Sequence, residues 1–359
     1  MPFDAPSSTD SRQADHRRPD LCWAVLAWLY TLCAMILAMV ALGGATRLTG
    51  SGLSIMEWAP VRGTLPPLSE AEWNRLYELY RQIPQYELVN KGFGLEGFKA
   101  IFWLEWLHRF WGRMIGLAFI VPLGILWWRG AVPRALLPRL AGLFVLGGMQ
   151  GAVGWFMVAS GFTADATSVS PYRLVAHLGL ALVLYAAILW TALGLRGAEP
   201  IVGGPRRLVQ ATAWLVALTI LAGGFVAGLK AGLDYNTFPL MDGRLVPEGY
   251  ARLEPFLRNF AENIAAVQFN HRMLATLTLV LALASLVAGW GCAARPVLLG
   301  LAGTVVVQYG LGIATLVHVV PVSLGTLHQT MAVLVLTAAL VSLDRLRAVR
   351  APRSWPATS

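Results

Sequence analysis

The sequence predicts an all-α polytopic membrane protein in which eight transmembrane helices form two pseudo-symmetric four-helix bundles. Three observations lead to this fold class. Of the 359 residues, 57% are hydrophobic and only 13% are charged, whereas roughly 25% are charged in a soluble domain. Eight apolar runs are long enough to cross a bilayer. The last four runs also repeat features of the first four, which indicates an internal repeat.

The eight spans are predicted from the positions of these apolar runs. In chain order they cover 21–45, 101–128, 134–157, 172–194, 206–228, 264–289, 295–319 and 322–342. The first run is too long for the apolar core of a signal peptide, so we expect an uncleaved first helix. Only Pro321 separates the last two runs, which makes that boundary the least defined.

Loops that carry arginine with few acidic residues predict the orientation of the chain in the membrane. These arginines follow the second, fourth, sixth and eighth spans: Arg129, Arg134 and Arg139; Arg196, Arg206 and Arg207; Arg295; and Arg345, Arg347, Arg350 and Arg353. The positive-inside rule puts such loops in the cytoplasm, so we expect a bacterial inner-membrane protein whose tails, 1–20 and 344–359, are both cytoplasmic. The net charge of +9 therefore indicates orientation in the lipid bilayer, and we expect no nucleic-acid partner.

The first outer loop, 46–100, is too long to be only a connector. Ser69-Glu-Ala-Glu72 has the pattern of a capping box, which marks a helix start. Apolar residues then follow with helical spacing: Trp73, Leu76, Tyr77, Leu79 and Tyr80. We expect a short helix lying over the outer mouth of the bundle. A solvated loop helix with no role beyond packing is the alternative.

The two halves of the chain share motifs at matching positions. The matches are Gly43-Gly44 and Gly52-Leu-Ser54 with Gly223-Gly224 and Gly232-Leu-Asp234, His108-Arg109 with His271-Arg272, Gln150 and Gly154 with Gln308 and Gly312, and His177 with His328. Because four spans return the chain to the same side, the repeats are parallel and related by an axis along the membrane normal. This predicts an N-terminal bundle over 21–195 and a C-terminal bundle over 206–343.

Four of the six histidines fall on the second, fourth, sixth and eighth spans, each near the outer end. The pairs His108/His177 and His271/His328 each join two helices of one bundle. Two imidazoles that face each other in a bundle suit the axial ligation of a haem iron, whereas zinc or copper sites want three or four ligands. The alternative for any single histidine is an ordinary hydrogen bond. His318 has no counterpart, and an interfacial role is expected for it.

The repeat is broken three residues before each first histidine, where Glu105 stands opposite Gln268. A carboxylate can accept a proton or stabilise a developing cation, and an amide can do neither. This predicts one bundle that carries a cofactor and one that performs chemistry. The alternative for Glu105 is an ion pair with Arg109. Arg109 and its counterpart Arg272 either pair with haem propionates or serve as snorkelling or inter-helix groups.

At these residues the chain resembles the haem A synthase family, in its cysteine-poor proteobacterial and mitochondrial branch. The resemblance covers about residues 21–343 and rests on six motifs: Glu105-x-x-His108-Arg109, Arg173-Leu-Val-Ala-His177, Asn270-His271-Arg272, Thr326-Leu-His328-Gln329, Gly50-Ser-Gly-Leu-Ser54 and Tyr235-Asn-Thr-Phe-Pro239. Some members carry a cysteine pair in the first outer loop. Residues 46–100 contain no cysteine, so a role for that pair cannot apply.

The resemblance implies an oxidoreductase for cytochrome c oxidase assembly that oxidises the C8 methyl of haem O to the formyl group of haem A through hydroxylated intermediates. It implies that the C-terminal bundle holds haem b on His271 and His328. The N-terminal bundle would take the substrate haem between His108 and His177, with Glu105 essential. The resemblance does not decide three possible partners, which are an electron donor, the farnesylating haem O synthase and a second copy of the chain.

Two other function classes compete with this interpretation. A di-haem b-type electron-transfer protein would also use two imidazole pairs, but it gives no reason for a carboxylate in one bundle only. A transporter with parallel repeats would need helices broken by glycine or proline at matching mid-membrane positions. The spans that carry the histidines have no such breaks.

Overall fold

The computed structural model of the protein describes residues 19–163 and 166–347. Over these residues the chain forms helices and irregular segments, with one isolated β-bridge between Met241 and Arg244 and no strand. Eight of the described helices are long and apolar enough to cross a membrane. In chain order they are α1 (Pro19–Leu48), α2 (Gly94–Trp128), α3 (Leu137–Ala159), α4 (Pro171–Arg196), α5 (Arg206–Gly228), α6 (Ile264–Ala288), α7 (Arg295–Val317) and α8 (Val322–Arg345).

The prediction of eight spans is confirmed, and one boundary differs clearly. Helix α2 begins at Gly94 rather than at 101. Its first turns carry Glu96 and Lys99, which form an ion pair and lower the local hydropathy. Phe98 and Phe102 of the same segment are buried against the outer loop, so packing and not lipid stabilises this extension. His16 and most of the two predicted tails lie outside the described residues.

The helices of each half pack in a ring. Helix α1 contacts α2 and α4, and α3 contacts α2 and α4; in the second half α5 contacts α6 and α8, and α7 contacts α6 and α8. The halves meet through α1 with α8, α4 with α5 and α4 with α8. These contacts are compatible with two four-helix bundles, and the domain boundaries stay predictions.

The interface between the halves contains the same close approach twice. A Cβ at Gly44 of α1 would lie 2.9 Å from Oε1 of Gln329 in α8, and one at Gly224 of α5 would lie 3.2 Å from Cδ2 of Leu178 in α4. Gly44 and Gly224 match in the repeat, and Gln329 and Leu178 each follow a matching histidine. Small residues let helix backbones approach closely. This duplicated contact is what parallel repeats require.

The predicted helix of the first outer loop is present at Glu70–Tyr80, and the Ser69 hydroxyl caps it by accepting a hydrogen bond from the Glu72 amide at 3.2 Å. Trp73 packs edge-on against Phe102 of α2, with ring centroids 4.8 Å apart. The helix therefore lies against the outer extension of α2. We call the end of each bundle on this side the outer end.

Candidate functional site

Each of the four patterned histidines packs against a glycine of the preceding helix. A Cβ added to that glycine would lie 2.8 to 3.1 Å from Cε1 of the ring in the pairs Gly43–His108, Gly154–His177, Gly223–His271 and Gly312–His328. A contact that short would force the ring to move. Glycine is therefore the residue that allows each imidazole ring to keep its position. The repeat pairs these glycines in the sequence, but spacing alone does not show that each of them contacts a histidine ring.

The rings of His271 in α6 and His328 in α8 lie edge-on to each other, with centroids 6.5 Å apart and planes at 88°. Nδ1 of His271 donates a hydrogen bond to the Thr219 carbonyl at 3.0 Å, because a carbonyl oxygen can only accept. Such a bond leaves Nε2 free to bind a metal. Bonds from imidazole nitrogen to a metal are about 2 Å long, so the separation leaves room for one metal atom between the rings.

The same ends of the bundles hold buried polar atoms that have no partner among the described residues. They include Nδ1 of His108 and of His328 and Oε1 of Gln150 and of Gln308. Nε2 of each glutamine donates to the main-chain carbonyl of the histidine opposite it, His177 or His328, at 3.1 Å. A buried polar atom without a hydrogen bond costs roughly 1–3 kcal/mol. These atoms therefore fit sites that a polar or metal-containing ligand completes.

Glu105 is 2% exposed, and both of its carboxylate oxygens are engaged. Oε2 accepts hydrogen bonds from the Ser54 amide at 2.7 Å, the Ser54 hydroxyl at 2.8 Å and the Ile55 amide at 3.0 Å. Oε1 accepts two from Arg109, at 3.0 and 2.6 Å. The ion pair with Arg109 that we considered as the alternative is thus present, and the carboxylate also fixes the start of the outer loop.

Gln268 holds the corresponding loop of the second half with the opposite polarity. Its Nε2 donates to the carbonyls of Ala231 and Asp234, both at 2.6 Å, and its Oε1 accepts from Arg272 at 2.8 Å. The first loop presents amide hydrogens and so needs an acceptor, whereas the second presents carbonyls and needs a donor. The first half therefore has a glutamate and the second half a glutamine because the two loops present groups of opposite polarity. This difference could not be predicted from the sequence, since spacing does not report which main-chain groups of a loop point toward a helix.

The two arginines beside these residues make equivalent bonds. Arg109 donates to the carbonyls of Ile55 at 2.7 Å and Glu57 at 3.0 Å. Arg272 donates to the carbonyls of the matching residues, Tyr235 at 2.6 Å and Thr237 at 2.9 Å. Both guanidinium groups therefore anchor an outer loop above a histidine. Pairing with haem propionates stays a prediction.

Two further residues had no clear place in the sequence pattern. Arg113 donates to the carbonyls of Ala59 and Pro60, both at 2.8 Å, so it anchors the next stretch of the first outer loop. His318 is exposed at the end of α7, where its Nδ1 bonds to the Ala314 carbonyl at 2.8 Å. The contacts of Arg113 could not be predicted from spacing, because they join it to main-chain oxygens 53 and 54 positions earlier in the chain.

Comparisons with known proteins agree over most of the chain. The model of the COX15-CtaA family, described as cytochrome oxidase assembly protein, matches residues 26–340. A protein of Granulibacter bethesdensis named haem A synthase is 62% identical over 329 residues, which are 90% of this chain and 87% of that protein. Proteins of the same name from Rhodospirillum centenum and Nitrosospira multiformis are 51% and 47% identical, over 92% and 93% of this chain and 90% and 95% of their own.

Proposed function

Because the chain belongs to the COX15-CtaA family of cytochrome oxidase assembly proteins, we propose that it is a haem A synthase that oxidises the C8 methyl of haem O to the formyl group of haem A through hydroxylated intermediates. The observation that carries the proposal is the shared name of relatives up to 62% identical over nine-tenths of this chain. This name favours haem A synthesis over the alternative of a di-haem electron-transfer protein.

The C-terminal half suits a resident haem b. His271 and His328 would hold the iron, because their ring centroids are 6.5 Å apart and glycines of the neighbouring helices leave room for both rings. Haem b bound there supplies a one-electron redox centre in the outer part of the membrane. Arg272 keeps the loop above His271 in place through the carbonyls of Tyr235 and Thr237.

The N-terminal half suits the substrate haem O. His108 and His177 would bind its iron and so fix the plane of the macrocycle between the helices of this half. The carboxylate of Glu105 is held by five hydrogen bonds from Ser54, Ile55 and Arg109. A negative charge held at a fixed point can stabilise positive charge that develops on a nearby carbon. We assign this catalytic role to Glu105.

We place the protein in the bacterial inner membrane with both termini in the cytoplasm, because the unbalanced arginines lie on one side of the spans. Haem O, haem A and an electron donor are its partners, and the farnesylating haem O synthase is the candidate source of the substrate.

Expression in a bacterium that makes haem O but no haem A tests the proposal. Haem extracted from the host membranes and analysed by mass should include haem A when the chain is expressed and none with the empty vector. Haem O alone, in cells whose membranes contain the intact protein, would contradict the proposed activity.

A further inference from the structure

The two halves differ along one line of contact between helices. We call the contact between α2 and α3 the first seam, and the repeat-related contact between α6 and α7 the second seam. The contact between α6 and α7 is more extensive than the contact between α2 and α3. Helix α3 has two buried residues, Leu140 and Leu143, whereas α7, which has the same length, has five.

The second seam is closed by a bridge of side chains. The hydroxyl of Tyr309 in α7 is hydrogen-bonded to the hydroxyl of Thr276 in α6 at 2.9 Å. Phe238, from the loop that Arg272 anchors, packs edge-on against the Tyr309 ring with centroids 6.2 Å apart. Three side chains from two helices and a loop therefore cover this seam.

The first seam lacks every part of this bridge. Gln150 and Gln308 match, so Tyr309 corresponds to Gly151; His108 and His271 match, so Thr276 corresponds to Arg113. A Cβ at Gly151 would meet nothing within 4 Å, which means open space. Arg113 turns to the carbonyls of Ala59 and Pro60 and does not bridge to α3.

The outer loop of the first half also does not cover α3 at the depth of Gly151. Trp58 matches Phe238, but it stacks on Trp155 with centroids 6.0 Å apart and planes at 18°. Trp155 lies four residues after Gly151 in α3, about one helical turn further out. The first loop therefore covers the outer turn and leaves the level of Gly151 uncovered.

We propose that the first seam, at Gly151, is a lateral portal through which the N-terminal bundle exchanges a farnesylated haem with the bilayer. The inference rests on the proposed function and explains why one half of a duplicated protein turns over its haem while the other retains it. The opening lies about one turn inward of Gly154, which contacts the His177 ring. A long apolar chain on the haem edge could stay in lipid while the macrocycle lies between the helices.

The test introduces a tyrosine at the first seam with Gly151→Tyr and removes the tyrosine of the second seam with Tyr309→Gly. Purified protein loaded with haem O and haem b is mixed with excess apomyoglobin, and the haem that remains bound is extracted and analysed by mass over time. Wild-type protein should lose haem O faster than haem b. Gly151→Tyr should slow the loss of haem O at least fivefold without changing that of haem b, and Tyr309→Gly should speed the loss of haem b by a similar factor.

Gly142→Tyr is the matched control, because Gly142 is also an exposed glycine of α3 with open space around it. Its haem O loss should equal that of wild type. Unchanged rates in both Gly151→Tyr and Tyr309→Gly would overturn the portal while leaving the proposed function intact. If Gly151→Tyr protein keeps haem b but fails to load haem O, Tyr309→Gly decides. Faster loss of haem b from Tyr309→Gly then supports the portal, and an unchanged rate of haem b loss overturns it. Wild-type protein that never binds haem O would contradict the proposed function itself.

Discussion

Glu105 accepts two hydrogen bonds from Ser54, one from its amide at 2.7 Å and one from its hydroxyl at 2.8 Å. The relationship ties a carboxylate in the outer part of α2 to the first residues after α1. It also explains why the repeat is broken here, since the matching Gln268 faces carbonyl groups instead. Glu105 therefore holds the loop, and under the proposed function it also supplies a negative charge beside the substrate.

We predict that Glu105→Gln keeps both haems bound but stops haem A formation. The amide has one acceptor oxygen for five donors and no charge, so both the loop anchor and the electrostatic stabilisation are weakened. Loss of such stabilisation lowers a rate on the order of 100-fold or more. Extracted haem, analysed by mass, should contain haem O and no haem A. Glu96→Gln, whose carboxylate side chain is 85% exposed, is the control and should make normal haem A. Normal haem A from Glu105→Gln would refute the catalytic assignment.

We predict that Gly223→Ala disturbs the haem of the C-terminal half. The new methyl group would lie 2.9 Å from Cε1 of His271, and overpacking of this kind costs about 1–3 kcal/mol. The haem b spectrum of the purified protein should shift or be lost. Gly303→Ala in α7, where a Cβ meets nothing within 4 Å, should leave the spectrum unchanged. Identical spectra for the two variants would show that the glycine does not position the imidazole.

The first outer loop should loosen in acid. Arg75 is hydrogen-bonded to the carboxylates of Glu57 and Glu72, and these bonds hold the pKa of both groups below the usual range. A carboxyl group with a depressed pKa stabilises the fold above its unfolded pKa, about 4.3 for Glu, and the effect is lost as pH falls through the folded value. The protection factors of amides in residues 51–63, which correct for the intrinsic pH dependence of exchange, should therefore fall as pH drops below about 4.

Arg75→Met supplies the comparison for this pH dependence. It should raise exchange in 51–63 at pH 7, by a small factor because the side chains are 42–46% exposed, and match wild type in acid. Arg81→Met removes an exposed ion pair with Glu78 and contacts with the Tyr77 and Tyr86 rings, but no bond to Glu57, so it should leave this segment unchanged. Equal effects of the two substitutions at pH 7 would mean that the Arg75 bonds do not hold the loop.

Much of the fold could be predicted from the sequence, because lipid imposes long apolar runs and proline or glycine marks their ends. Helix α5 begins and ends where predicted, at Arg206 and Gly228. Helix α2 was predicted too short, because its polar first turns are stabilised by the loop and not by lipid. The contact of Gly154 with His177, and the anchoring of a loop by Arg113, could not be predicted, since neither spacing nor hydropathy reports contacts between distant segments.

The central claim is that the two halves divide the work, with one retaining haem b and the other converting haem O. It is tested most directly by extracting haem from purified His108→Ala and His271→Ala proteins and analysing each extract by mass. We predict that His271→Ala loses haem b and keeps a farnesylated haem, whereas His108→Ala keeps haem b and loses the farnesylated haem. Loss of the same haem from both variants would contradict the division.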